Sequence, residues 1–102
     1  MTIVNTSTNY NSSAASLNSG DYNALYCSAN NISVTLRGQD FGNATVIEVF
    51  DLTGGASVLT PITIHFDTND TYNGSSGQTV SIILGRGHAR FLLDANLNWY
   101  QG

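Results

Sequence analysis

The chain has 102 residues, a formal net charge of −4 at pH 7 and 10% charged residues, whereas a typical soluble domain has about 25%. It contains no lysine, and Asn, Ser, Thr and Gly together occupy 44 of the 102 positions. This length predicts one domain. The scarcity of Lys and Arg excludes a basic nucleic-acid-binding surface, which needs these residues in clusters. The sequence also contains no apolar run long enough to span a membrane.

The first quarter of the chain is polar and contains few large side chains that a core could use. Its first five residues have neither the basic region nor the apolar region of a signal peptide. Its large apolar side chains are Tyr10, Leu17 and Tyr22. We therefore predict a polar N-terminal strand or arm at residues 1–23 and a single β domain at residues 24–102. The arm is either exposed and disordered or ordered against a neighbouring chain.

Short runs of alternating apolar and polar residues predict a chain built from β-strands. Good helix formers are scarce, and Gly-rich and Asn-rich turns separate the runs. The dense apolar run at residues 45–50 is typical of a strand that is covered on both faces. The predicted strands are residues 32–36, 45–50, 62–66, 80–84, 89–93 and 98–101. Their spacing predicts an all-β fold, a compact antiparallel sandwich, prism or barrel of about seven to eight short strands.

The candidate catalytic and metal-binding residues do not form a recognisable constellation. Most carboxylates lie in or beside predicted turns, where Asp is common for backbone reasons, and Glu48 lies within a strand. His65 and His88 stand on different segments, whereas a zinc site needs several converging ligands. Cys27 is the single cysteine, so it cannot form an internal disulfide, and it reads as a small core residue. We predict no catalytic residue, no metal site and no cofactor, and therefore no enzyme.

Cationic and surplus apolar residues point to a partner instead. Arg86, His88 and Arg90 form a cationic cluster that fits an acidic partner or a carbohydrate carboxylate, although cross-strand or intersubunit ion pairs are the favoured interpretation. Some large apolar residues exceed the need of one small core. These are Leu25, Ile83, Phe91, Leu93, Trp99 and Tyr100. The predicted partner or oligomer interface comprises Tyr10, Leu17, Tyr22, Arg86, His88, Arg90, Phe91, Trp99 and Tyr100.

The C-terminal half carries an ordered series of short motifs between residues 45 and 100. A strand that ends at Asp51 leads through a Gly-rich turn to Ile-Thr-Ile at residues 62–64, Asp-Thr-Tyr-Asn-Gly-Ser at residues 70–75, a hydrophobic strand and a closing Asn-Trp-Tyr. This order resembles a β module of tailed-bacteriophage virion proteins, which occurs in fibre and spike tips, head fibres and small capsid-decoration proteins. Tyr72 replaces the usual Ile of that module, and Asn-Leu-Asn at residues 96–98 replaces its shorter Gly turn.

The resemblance implies a non-enzymatic structural protein of the virion, made in the host cytoplasm. The first hypothesis is a capsid decoration (cement) protein, a homotrimer that contacts the major capsid protein or other virion subunits through the N-terminal arm. The alternative is a tail-fibre or head-fibre tip module that binds a host-surface glycan or protein. In that case an exposed Trp99 would favour a glycan platform, and a buried Trp99 would count against it. Neither nucleic acid nor membrane is an expected partner.

Overall fold

The computed structural model of this chain describes residues 1–14, 16–42 and 44–102. These residues form an all-β fold, which confirms the predicted class, and they contain two short 3-10 helices at Ser12–Ala14 and Gly38–Asp40. No helix among them is long and apolar enough to cross a membrane. Their strands are β1 (Thr2–Thr6), β2 (Tyr10–Asn11), β3 (Tyr22–Cys27), β4 (Ile32–Leu36), β5 (Thr45–Asp51), β6 (Ile62–Phe66), β7 (Thr71–Tyr72), β8 (Thr79–Ile82), β9 (His88–Leu93) and β10 (Asn98–Gln101).

The strands form two sheets that enclose one core. Sheet A has the order β1-β3-β5-β9-β10-β7, and sheet B has the order β2-β4-β6-β8. From β1 to β6 the chain alternates between the sheets, so that it winds through three stacked coils. Each strand returns parallel to the one before it in its own sheet, because passage through the opposite sheet lets the chain re-enter in the same direction. The sandwich is therefore solenoid-like, with parallel rather than antiparallel pairing in its first six strands.

Antiparallel strands close one end of this stack of coils. Strand β8 pairs with β6 in sheet B, and β9 pairs with β5 in sheet A. The β9–β10 hairpin lies between β5 and β7, and β7 runs parallel to β10. The other end of the stack has no such closure, since sheet A ends there at β1 and sheet B at β2.

The core follows from the alternation of side chains along each strand. In sheet A, the register aligns Val4, Leu25 and Val49 in one inward row, and in sheet B it aligns Val34 with Ile64. At the closed end, the ring of Phe66 packs edge-on against Phe91 and near Trp99. The largest fully buried side chains are Trp99, Phe91, Leu25, Leu36, Ile47, Ile62, Ile64, Leu93, Val34 and Val49. Each contributes about 1.5–3 kcal/mol through burial.

The sequence predicts residues 1–23 as a strand or arm apart from the β domain, but those that the structure describes belong to the same two-sheet body, with β1 and β2 in its first coil. Val4 packs against the core, and Leu17 is buried. The polar composition fits this position because buried polar groups find partners there. The fully buried Asn23 amide accepts a hydrogen bond from the Asn18 backbone N–H at 2.8 Å and donates to the Asn18 and Val46 carbonyl oxygens. These hydrogen bonds satisfy the buried polar groups of the first coil, which has few large apolar side chains.

Candidate binding face

The two sheets differ sharply on their solvent-facing surfaces. The outward side chains of sheet B include the small hydroxyls of Ser33, Thr35, Thr63 and Ser81. The corresponding surface of sheet A carries aromatic, aliphatic and charged groups. We define the outer face of sheet A as Ile3, Tyr22, Tyr26, Val46, Glu48, Phe50, His88, Arg90, Leu92 and Tyr100.

Glu48 lies at the centre of this face, with both carboxylate oxygens engaged by neighbouring strands. Its Oε1 accepts a hydrogen bond from the Tyr22 hydroxyl at 2.6 Å, and its Oε2 lies 2.6 Å from His88 Nδ1. Only 8% of Glu48 is exposed, so the surrounding side chains cover this carboxylate on the sheet surface. The hydrogen bond to Glu48, together with burial and the carboxylate charge, raises the pKa of Tyr22 to about 12. Glu48 thus fixes the orientation of Tyr22 and His88.

An aromatic row crosses β3, β5 and β9 beside this carboxylate. The rings of Tyr26 and Phe50 meet edge to face at 5.4 Å, and Phe50 stacks on the His88 imidazole at 5.5 Å. The Arg90 guanidinium carbon lies 5.7 Å from the centre of the Tyr22 ring, within range of a cation–π interaction. The row and the charged centre form one continuous surface, rigid because it is built on strands rather than loops.

The structure brings four of the nine predicted interface residues onto this face: Tyr22, His88, Arg90 and Tyr100. His88 pairs with Glu48 across strands, whereas Arg86 lies in the turn before β9 and its backbone N–H donates to Asp51. Tyr10 is half-buried in β2, where its hydroxyl contacts Ser16. Leu17, Phe91 and Trp99 lie in the core, because they fill the space between the two sheets.

The surplus apolar residues divide in the same way. Leu25, Phe91, Leu93 and Trp99 are buried within the chain, whereas Ile83 and Tyr100 are 45% and 43% exposed. Further exposed apolar side chains lie in the segments that follow β5 and β8; they are Leu52, Val58, Leu59 and Leu84. An open groove of about 250 Å³ lies between β8 and β9.

Trp99 is buried and donates a hydrogen bond to a buried carboxylate. Its indole Nε1 donates to Asp70 Oδ2 at 2.9 Å, and the same oxygen accepts the Gly38 N–H at 2.6 Å. Both Trp99 and Asp70 are almost completely buried. The indole therefore cannot act as a stacking platform for a sugar.

Sequence reasoning did not assign Glu48, Tyr26 and Phe50 to a shared site. The available signal was the dense run at residues 45–50, which predicts a strand covered on both faces. The core covers the inner face of this strand, where Ile47 and Val49 are buried. Side chains of adjacent strands cover its outer face only in part, since Val46 and Phe50 stay partly exposed. The partner strands that complete the site could not be read from this run alone.

The chemistry of the outer face suits non-covalent binding. No group of three or more His, Cys, Asp or Glu side chains among the described residues is placed to hold a metal ion, and His65 lies on the other sheet from His88. The face offers apolar area, ring surfaces and one cation instead. No family model matches the chain, and comparisons with curated proteins and with solved structures give no match. Its function is therefore inferred from this surface chemistry.

Proposed function

We propose that this protein is a non-enzymatic structural component of a bacteriophage virion, a capsid decoration protein that acts as a homotrimer. The observation that carries this proposal is the outer face of sheet A, an aromatic and apolar surface that contrasts with the hydroxyl-bearing outer face of sheet B. The order of motifs between residues 45 and 100 supplies the virion context. Partners in this role are further copies of the chain and subunits of the capsid shell.

The outer face has the composition of a protein contact surface. Aromatic and Arg side chains are enriched at such surfaces, and Lys is depleted. Ile3, Leu92 and Tyr100 are 47%, 41% and 43% exposed, and Leu92 lies between Tyr100 and the half-buried Val46 in the register of the sheet. An apolar area of this kind on a small soluble protein marks an interaction site. Packing three such faces around a three-fold axis would leave the hydroxyl-rich outer face of sheet B for the capsid shell.

Light scattering on variants of each outer face tests the trimer. Leu92→Asp places a charge on the outer face of sheet A, and Ser81→Asp places the same charge on exposed β8 in sheet B. We expect the trimer mass for the wild type and Ser81→Asp, and the monomer mass for Leu92→Asp, because an unpaired buried carboxylate is costly. A wild-type monomer across the measured concentrations would overturn the trimer.

The same face supports a second candidate function, a fibre-tip module that binds a host-surface glycan. The specific observation is the row of half-buried rings of Tyr26 and Phe50 beside Glu48 and Arg90, since ring faces and polar groups together suit sugar binding. A glycan array comparing wild type with Tyr26→Ala tests it, with Thr63→Ala on sheet B as the control. Binding by the wild type and the control that Tyr26→Ala abolishes would support this role, and a silent array would reject it.

A further inference from the structure

The sheet edges of this protein are protected unequally. Strand β7 has two residues, and its Tyr72 exchanges backbone hydrogen bonds with Ser75 of its own turn at 2.9 and 3.1 Å. Strand β2 also has only two residues. In contrast, β1 presents five residues, Thr-Ile-Val-Asn-Thr, with no charge and no proline. Long uncharged edges are the ones that pair with another chain.

The backbone groups that face this free edge can be identified. The Thr6 carbonyl accepts a hydrogen bond from the Ser28 N–H at 2.9 Å, so Thr6 directs its backbone groups toward β3. In a parallel ladder this direction alternates from one residue to the next. Val4 therefore also faces β3, whereas the N–H and C=O groups of Ile3 and Asn5 point away from the sheet, toward the open edge.

The side chains of β1 are arranged symmetrically about its central residue. The inward positions are Thr2, Val4 and Thr6, so the inner side of the strand reads Thr-Val-Thr in either direction. An antiparallel copy centred on Val4 would place Thr2 opposite Thr6 and Val4 opposite its own equivalent. Thr–Thr and β-branched cross-strand pairs are stabilising. The edge is thus complementary to itself.

We propose that β1 is a two-fold self-association edge, at which two copies of this chain pair their β1 strands antiparallel with Val4 at the axis. Ile3 of each copy and Asn5 of the other would then exchange both of their outward backbone hydrogen bonds. The inward row of Val4, Leu25 and Val49 would continue into the second copy. A single twelve-stranded sheet would result, since sheet A has six strands in each copy.

A second copy fits this edge better than a head-to-tail stack of copies. The longer exposed edge at the closed end is β8, which belongs to sheet B, whereas β1 belongs to sheet A. Head-to-tail stacking would set β1 against the two-residue β7 of the next copy, and the two-residue β2 against β8. Two-fold pairing instead joins two five-residue β1 edges of sheet A. Isologous contacts of this kind close on themselves. The pairing uses backbone groups of β1, whereas the outer face of sheet A is a surface of side chains to which β1 contributes Ile3. The inference therefore does not depend on the proposed function.

The expected strength follows from the size of the contact. Two five-residue strands bury less than the roughly 1,200 Å² of a stable complex, so the pair should be weak and concentration-dependent. Asn5→Pro tests it, because proline removes an N–H that points to solvent and is tolerated at such edge positions. Asn5→Ala is the matched control, since it shortens the same exposed side chain and keeps the N–H.

Sedimentation equilibrium between about 5 μM and about 500 μM covers the range of a weak pair. We expect the mass of wild type and Asn5→Ala to double relative to that of Asn5→Pro, whether that smaller unit is a monomer or the proposed trimer. Identical masses for all three proteins would overturn the inference. Doubling that persists in Leu92→Asp would support the edge pairing, because this variant disrupts the outer face of sheet A and leaves β1 unchanged.

Hydrogen exchange on the wild type provides a measurement that does not depend on how a variant folds. In the unpaired chain, the Val4 and Thr6 amides are protected by β3, and the Ile3 and Asn5 amides exchange freely. Pairing would protect the Ile3 and Asn5 amides as the protein concentration rises. If these two amides exchange at the same rapid rate at every concentration, the free edge remains unpaired and the inference is wrong.

Discussion

Asp51 shows how one carboxylate joins two turns of this fold. It lies at the end of β5 and is almost fully buried. Its Oδ1 accepts hydrogen bonds from the Thr53 N–H and hydroxyl at 2.9 and 2.6 Å, and its Oδ2 accepts from the backbone N–H groups of Ala56 and Arg86 at 3.1 and 3.0 Å. Burial alone would raise the pKa of Asp51, but these hydrogen bonds outweigh it and lower the pKa to about 2.

The lowered pKa of Asp51 predicts an acid-dependent loss of stability. The stabilisation is fully present above the unfolded pKa of 3.8 and is lost as the pH falls through the folded value of about 2. The shift corresponds to about 2 kcal/mol of unfolding free energy at neutral pH. We expect Asp51→Asn to lose this amount at pH 7, and its difference from wild type to shrink between pH 4 and pH 2.

Urea denaturation monitored by the fluorescence of Trp99 measures this difference. Asp67→Asn is a suitable control, because the Asp67 carboxylate accepts no hydrogen bond from the residues that the structure describes. A difference between Asp51→Asn and wild type that stays constant from pH 7 to pH 2 would contradict the assigned role of Asp51.

At the scale of elements, the turn between β8 and β9 packs directly on the loop that follows β5. A Cβ atom at Gly85 would lie 2.3 Å from the Gly54 carbonyl oxygen, which is too close for any side chain. We therefore expect Gly85→Ala to destabilise the fold by about 1–3 kcal/mol through forced backbone displacement. Urea denaturation checks this value.

Gly42 provides the control for that substitution. A Cβ atom there would meet only the Ser19 Cβ at 3.9 Å, and its backbone is not among the positive-φ glycines. Gly42→Ala should be neutral or stabilising by up to about 1 kcal/mol, since alanine restricts the unfolded chain. Equal losses for both substitutions would mean that the close approach at Gly85 relaxes at little cost.

The individual strands could be predicted from the sequence, but their partners could not. The predicted strands at residues 32–36, 62–66 and 98–101 coincide with β4, β6 and β10, because alternation at period two directly reflects one buried face. Strand β1 could not be delimited within the predicted N-terminal strand or arm, because Val4 is its one inward large apolar residue. Strands β2 and β7 are too short to show a pattern. Parallel pairing also leaves no local signal, since each partner lies a whole coil away along the chain.

The candidate face was only partly predictable for the same reason. Tyr22, His88 and Arg90 were selected by residue type, yet their common centre, Glu48, belongs to a different strand. Trp99 and Phe91 were selected for the interface because large aromatic residues suit both interfaces and cores. Only the register, which aligns them with Thr45 and Ile47 on the inward rows, assigns them to the core.

At the scale of the whole molecule, the fold depends on hydrogen bonds and apolar packing rather than on charge. Ion pairs among the described residues join the Met1 amino group to Asp21 and Arg37 to Asp40, and His88 Nδ1 lies against the Glu48 carboxylate. The first of these is well exposed and the second spans 3.8 Å. Each exposed pair contributes about 0–1 kcal/mol. The net charge of −4 produces a weak self-repulsion that acts in the opposite direction.

This balance predicts a melting temperature that barely depends on salt. Raising NaCl from about 0.02 M to about 1 M screens both the pairs and the self-repulsion, and the two effects oppose each other. Because 1 kcal/mol corresponds to roughly 4–8 °C in a domain of this size, we expect a shift of less than about 4 °C. Differential scanning calorimetry in NaCl is the suitable measurement, since sulfate would add stabilisation by exclusion from the surface. A shift above about 8 °C would mean that charge contributes more than 1 kcal/mol net, whereas a small one fits a fold held by hydrogen bonds and apolar packing beneath a surface rich in hydroxyls and amides.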